Sequence, residues 1–329
     1  MQVLVGDIGG TKTGLGIAEV EGDSVTLELH RRYPSRKSVS LGEIVTAFLD
    51  ETGCECAAAA FAVAGPVVGG RSKTTNLPWQ IDAAALQKSL GFERVGLLND
   101  LEAVAWGVPA LSANELAVIQ TGAPDAVGNA CVVAAGTGLG EAGMFWDGER
   151  HRPFATEGGH TDFASTDDRE FALLNYLQKR VGRVSWERVV SGMGIGTIYE
   201  FLAQWHKATH PPAVAEALRS DGDIAEAVAE AAQNGHTISQ EALELFVVLY
   251  GREAGNTALK HMAMGGVYLG GGIAPKNLTL LQGAGFLEGF LDKGRMRGLM
   301  ERIPVRVILD PHTPLYGAAR YMVAEREAV

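Results

Sequence analysis

Apolar and polar positions along the chain fall into short blocks whose period switches between two and about 3.6. Val3 to Val5 form an apolar run that predicts a buried strand, and "TGLGIAEV" and "SVTLELHRRY" continue as two more strands, with Glu21-Gly22-Asp23 as the turn between them. "LGEIVTAFLDETG" carries helical apolar spacing and ends on Gly53, a C-cap. The small-residue run "AAAAFAVAGP" reads as a central strand ending in a turn at Gly65-Pro66. "IDAAALQKSLG" reads as a helix capped by Asp82, and "RVGLL" as a buried strand that delivers Asn99 and Asp100 to the helix "DLEAVAWG".

After Pro109 the pattern restarts. "NACVVAAGTGLGEAGMFWDGERHRPF" reads as strand, glycine loop, strand, turn, strand, and aligning Gly10-Thr11 with Gly136-Thr137 gives an offset of 136 − 10 = 126 residues. This weak repeat suggests two related α/β domains facing one another. The remainder is helix-rich: "STDDREFALLNYLQKRVG" up to Gly182, the long amphipathic "SQEALELFVVLYGREAGNTALKHMA", and a closing "PLYGAARYMVAERE". Between the last two, "GGVYLGGGIAP" is a strand running into Gly270 to Gly272.

Composition narrows the classes. At 329 residues, with 47% hydrophobic and 20% charged positions, the chain has room for two globular domains. Its 42 glycines cluster after apolar runs, where backbone turns sharply or approaches a ligand. A net charge of −11 argues against nucleic acid as a partner. The basic run "HRRYPSRK" reads as a solvated strand end and loop. Three cysteines make no disulfide framework and suit a reducing compartment. No signal peptide or membrane-length apolar run is visible, so a cytoplasmic protein with no membrane partner is expected.

The stretch "VGDIGGTKTGLGIA" suggests a phosphate loop yet fits neither familiar fingerprint, because Thr11 separates Gly10 from Lys12 and the glycines are adjacent. Asp7, at the end of a buried strand, has the chemistry for a hydrated Mg²⁺, while Gly9, Gly10 and Thr11 supply donors for phosphate oxygens. A tight hairpin with an Asx-type bond from Asp7 is the plainer alternative. The second loop, with Gly136, Thr137 and Gly138, offers the same donors. Asp100 stands where open α/β sheets place ligands and has the chemistry to accept a proton from an attacking hydroxyl; the alternative is that it only caps the following helix. Glu157 and His160 flank Gly158-Gly159, which disfavours a helical metal pair and leaves a turn offering a carboxylate and an imidazole to hydroxyls. Glu187 reads alone as a first-turn helix residue, and Trp79, Trp106 and Trp186 read as packing.

Taken in order, "GDIGGTKTGLGIA", "VAGPV", "TNLPW", "LLNDLEAVAWG", "AAGTGLGEA", "EGGHTDFA", "SWERVVSG" and "GGVYLGGGIAPK" resemble the bacterial glucokinase family of the hexokinase/actin-like ATPase superfamily, over nearly the whole chain. The resemblance implies a two-domain α/β fold of the ribonuclease H-like type, with mixed five-stranded sheets and a ligand cleft between domains. The smaller domain would take residues 1–110 plus about 311–329, and the larger one 111–310. It implies ATP-dependent phosphorylation of D-glucose, with Asp100 as general base and Asn99, Glu157, His160 and Glu187 on the other hydroxyls. Gly10, Thr11 and Thr137 would contact the ATP phosphates, Gly271 with Gly272 the adenosine, and Asp7 a Mg²⁺ through water. A homodimer is expected. The rival readings are a kinase for mannose, fructose or an amino sugar, and a non-catalytic sugar sensor on the same fold. Three departures from the family pattern stand out: Ala135 for a glycine, Glu141 for an apolar residue, and Met193 for a proline. The related ROK group shares "DIGGTK" and an E-x-G-H segment, but its cysteine-rich zinc loop has no counterpart, since no Cys follows Cys131.

Overall fold

A computed structural model describes every residue except Asp23, Thr75, Asn76, Asp221, Ala328 and Val329, and gives side chains through Ala324. The expected turn at Glu21-Gly22-Asp23 and the "TN" of "TNLPW" therefore lie in part outside the described residues. The chain divides into two compact units: Met1–Leu116 with Arg152–Ala155 and Asp310–Val329, and Ala117–His151 with Thr156–Leu309.

The first unit is built on β1 (Gln2–Ile8), β2 (Lys12–Glu21), β3 (Ser24–Pro34) and β4 (Ala58–Val63). Three short strands, β5 (Val67–Val68), β6 (Arg71–Lys73) and β7 (Gln80–Asp82), form a small separate sheet before β8 (Arg94–Asn99) joins the main one. The main order is β3-β2-β1-β4-β8, antiparallel from β3 to β1 and parallel from β1 to β8. Period-two alternation sorts β1 onto two cores. Leu4 and Ile8 pack with Leu41, Ile44, Val45 and Phe48 of the helix Leu41–Thr52. Val3 and Val5 pack with Leu315, Ala318, Ala319 and Met322 of the helix Thr313–Glu327. Burying each large side chain of this set contributes about 1.5–3 kcal/mol. The helix Leu41–Thr52 starts on Ser40, whose hydroxyl accepts from the Glu43 N–H, and stops at Gly53 with φ 66°.

A second sheet repeats the plan. Its strands are β9 (Leu116–Gln120), β10 (Ala130–Ala135), β11 (Leu139–Trp146), β12 (His151–Ala155), β13 (Gly266–Gly270) and β14 (Val305–Ile308), most of them in the second unit. The sheet order is β12-β11-β10-β13-β14-β9, with β10 antiparallel to β11 and parallel to β13, and β13 parallel to β14. Strand for strand, β10, β11, β12, β13 and β14 correspond to β1, β2, β3, β4 and β8. The expected five strands are joined by a sixth, β9, which extends the sheet beyond β14. Tyr250, from the helix Thr237–His261, donates to the Val133 carbonyl at 2.9 Å and fastens that helix to β10. No helix among the described residues is long and apolar enough to cross a membrane.

Candidate active site

In the first unit the β1–β2 pairing runs to Ile8 and Thr13, leaving Gly9 to Lys12 as a four-residue loop closed by the Gly9 N–H to the Lys12 carbonyl at 3.0 Å. The loop is braced from beneath. Ser35, in the turn after β3, donates its hydroxyl to the Gly9 carbonyl at 2.8 Å and its N–H to the Thr11 carbonyl at 3.0 Å. Its oxygen also lies 2.9 Å from Thr13 Oγ1. Sequence reasoning missed Ser35, which sits in the basic run assigned to solvent. Arg31, Arg32, Arg36 and Lys37 are indeed exposed, but Ser35 is buried.

Asp7 pairs with Gly14 across β2, and Gly14 with Arg32 across β3, so the acid and the guanidinium share a sheet face. Burial raises the Asp7 carboxyl above the ordinary range, and the Arg32 charge offsets part of that. A desolvated acid at a strand mouth beside a phosphate-type loop fits a divalent cation. No group of three or more His, Cys, Asp or Glu able to hold a metal ion occurs among the described residues. Mg²⁺ needs only one or two carboxylates and completes its shell with phosphate and water.

Strand β8 delivers Asn99 and Asp100 to the N-terminus of the helix Asp100–Gly107. The cap is Asn99, not Asp100: Asn99 Oδ1 accepts from the Leu101 N–H at 2.9 Å and the Glu102 N–H at 3.2 Å. Its Nδ2 donates to the Gly65 carbonyl at 3.1 Å. Asn99 is therefore tied to backbone on both sides, with one amide hydrogen left over, and Asp100 beside it is half-buried. Asp100 Oδ1 accepts from the Leu101 N–H at 3.0 Å. The helix is held by backbone-to-backbone packing on Thr313–Glu327, because a Cβ at Gly317 would overlap the Ala103 carbonyl and one at Gly107 the Thr313 carbonyl.

In the second unit the β10–β11 pairing runs to Ala135 and Leu139, leaving Gly136-Thr137-Gly138, one residue shorter than the first loop. The Gly136 N–H donates to the Gly138 carbonyl at 2.8 Å, and the Gly136 carbonyl accepts from the Gly192 N–H at 2.8 Å. Thr137 is exposed at the tip. Gly271 has φ 77° and rests on the Ala135 backbone, while a Cβ at Gly272 or Gly136 would meet open space. Ala135 lies in regular strand without positive φ, so its departure from glycine carries no strain.

Glu157, His160 and Glu187, expected at the sugar hydroxyls, lie next to that loop. Glu157 and His160 project, exposed, from either side of the 3₁₀ turn Gly158–His160. The His160 carbonyl is held by Arg183 at 2.6 Å. Glu187, in the turn Trp186–Arg188, is the hinge of the group: Oε2 accepts from the Leu139 N–H at 3.1 Å, and Oε1 stands 4.0 Å from His160 Nδ1. Gly138 presses so closely on the Glu187 carboxylate that a Cβ there would overlap Oε2. The plain helix-dipole reading of Glu187 is replaced by a bridging one. Trp79 and Trp186 are buried and Trp106 packs edge-on to Tyr321, as expected of packing residues. Glu141 points into the interior, its Oε2 3.1 Å from Thr257 Oγ1. Met193 is exposed one residue into the helix Gly192–His206, which Ser191 caps, so proline is dispensable there.

Two like-ordered sheets, each headed by an antiparallel glycine hairpin, define a hexokinase/actin-like α/β protein. A glucokinase family model matches residues 4–325, and the chain belongs to that family. It is 41% identical to a glucokinase of Nostoc punctiforme, covering 96% of this chain and 97% of the relative. It is 38% identical to one of Marinobacter nauticus, over 96% and 95%. Among solved structures, a glucokinase from an Antarctic psychrotroph superposes with TM-score 0.86 at 29% identity, covering 98% and 99% of the two chains. A ROK family glucokinase from Streptomyces griseus, solved with glucose and AMPPNP, shares the fold at TM-score 0.61 and 19% identity over 98% and 99%.

Proposed function

We propose that this protein transfers the γ-phosphoryl group of ATP to the 6-hydroxyl of D-glucose. The observation that carries the reading is Asp100, a half-buried carboxylate at the mouth of β8, set beside Asn99, which caps the helix that follows. Asp100 accepts the hydroxyl proton as the oxygen attacks phosphorus, a role general bases fill in phosphoryl transfer. Glu157, His160 and Glu187 hold the remaining hydroxyls, with Asn99 donating its spare amide hydrogen. Gly10, Thr11, Thr137 and Gly138 present N–H and hydroxyl donors to the phosphate oxygens, while the N–H groups of Gly9 and Gly136 close the two loops and leave bare backbone beside the phosphates. Gly271 and Gly272 leave the adenosine free to lie against backbone. Asp7 would hold Mg²⁺, and that ion would supply charge neutralisation for the transferring phosphate.

A panel of glucose, mannose, fructose and glucosamine, read by ADP release with ATP and Mg²⁺, tests this directly. The reading requires glucose to give the highest kcat/KM; a strong preference for another sugar replaces the substrate while keeping the chemistry.

A further inference from the structure

Strand β11 carries a carboxylate where its neighbours on the inward face are apolar. Glu141 is 2% exposed, and the helix Thr237–His261 sets the 0% exposed Glu253 near it, one turn before Thr257, whose hydroxyl reaches Glu141. Glu141 Oε2 accepts from Thr257 Oγ1 at 3.1 Å, and Glu253 Oε2 from Asn256 Nδ2 at 2.9 Å. The second oxygen of each acid, Oε1, is buried and receives no hydrogen bond from any described residue. Lys260 Nζ stands 3.7 Å from Glu253 Oε1, near enough for attraction and too far for a hydrogen bond. Two buried acids each short of a donor are satisfied by keeping one proton between them.

The pair also underlies the sugar-type turn. Gly158 lies on Glu141 Oε2 so closely that a Cβ would overlap it, and Thr156 Oγ1 donates to the Glu141 carbonyl at 2.9 Å. Gly159 rests in the same way on the Leu139 carbonyl. The turn that projects Glu157 and His160 thus has the Glu141 carboxyl as part of its floor.

We propose that Glu141 and Glu253 share a single proton at neutral pH, and that Glu141 in this protonated pair is a positioning residue for the Glu157–His160 turn and for sugar binding there. The proposal rests on reading that turn as a sugar site. Loss of the proton leaves two like charges in contact beneath Gly158, and repulsion displaces the floor. The other titratable groups facing Glu141 are Cys131 on β10 and Tyr250, Lys260 and His261 on the long helix. Burial pushes the Cys131 thiol and the Tyr250 hydroxyl far up, so neither ionises before the pair. Burial, and then the Glu141 charge, push Glu253 up to about 8.

The test is the pH profile of glucose KM and kcat for the wild type, Glu141→Gln and Glu253→Gln. In the wild type, KM for glucose rises about tenfold from about pH 7 to about pH 9, with a smaller change in kcat. Either glutamine variant, which cannot lose a proton, flattens that rise. An equal alkaline rise in both variants, or none in the wild type, overturns the positioning role; Glu253→Gln serves alone if Glu141→Gln does not fold. Infrared difference spectra of wild type against either variant at neutral pH read the proton itself, as a protonated-carboxyl stretch lost on substitution. Absence of that band overturns the shared proton whichever sugar the enzyme takes, so failure here is separable from failure of the glucokinase reading.

Discussion

Replacing Gly138 by alanine is the sharpest probe of how the phosphate loop and the sugar-type residues are joined. The new Cβ would overlap Glu187 Oε2 and lie 3.2 Å from its Cδ, so the carboxylate must withdraw. Withdrawal removes the acceptor, 3.1 Å away, from the Leu139 N–H and moves the oxygen that faces His160 at 4.0 Å. Leaving a part-buried N–H without its charged acceptor costs about 1–3 kcal/mol. At about 1.4 kcal/mol per tenfold in rate, that is a loss of roughly 5- to 150-fold in kcat/KM for both glucose and ATP. The assay is coupled ADP release with each substrate varied in turn, alongside thermal melting. Gly136→Ala is the matched control, since its Cβ meets no protein atom within 4 Å. It leaves the melting temperature unchanged and lowers activity only because it intrudes on space assigned to phosphate. A Gly138→Ala enzyme within about twofold of wild type in kcat/KM, with unchanged melting, refutes the bridge through Glu187.

Further expectations concern neighbouring groups. Asn99→Ala removes the cap and the bond to the Gly65 carbonyl, destabilising by about 0.5–2 kcal/mol and lowering kcat through a displaced Asp100; Asn99→Asp restores the cap alone, and chemical denaturation with kinetics separates the two parts. Asp7→Asn removes a carboxyl that burial already disfavours, so the melting temperature stays level or rises while the Mg²⁺ needed for half-maximal rate increases about tenfold. Glu253 has its folded pKa raised from 4.5 to about 8, so its contribution to stability is present below its unfolded pKa and is lost as pH rises through that window. Relative to wild type, Glu253→Gln therefore gains up to about 1.4 kcal/mol per pH unit across that window, measured by urea denaturation at several pH values.

The two main sheets were legible because their strands are buried on alternating or on both faces, and a period of two survives without knowledge of partners. The paired hairpins were legible too, through Gly10-Thr11 and Gly136-Thr137, although only the pairing registers show that Gly9 is the extra residue of the first loop. Strand β9 escaped notice because "LAVIQ" is short and lies between connecting segments without a contrasting period. Asn99 and Asp100 were placed at the right strand end, yet which of them caps depends on φ, ψ and rotamer, which adjacent polar residues do not encode. Ser35 was hidden by its basic neighbours. Glu141 stood out only as a departure from an apolar residue, because the acid and hydroxyl near it come from a helix more than a hundred residues further along.

The most direct test of the account is the kinetics of Asp100→Asn with glucose binding measured calorimetrically on the same preparation. A side chain of near-equal shape keeps the sugar contacts while losing the base, so kcat falls by at least ~10³ and the dissociation constant for glucose stays within about threefold. Turnover within tenfold of wild type, with binding intact, contradicts Asp100 as the proton acceptor and removes the chemical centre of the proposed reaction.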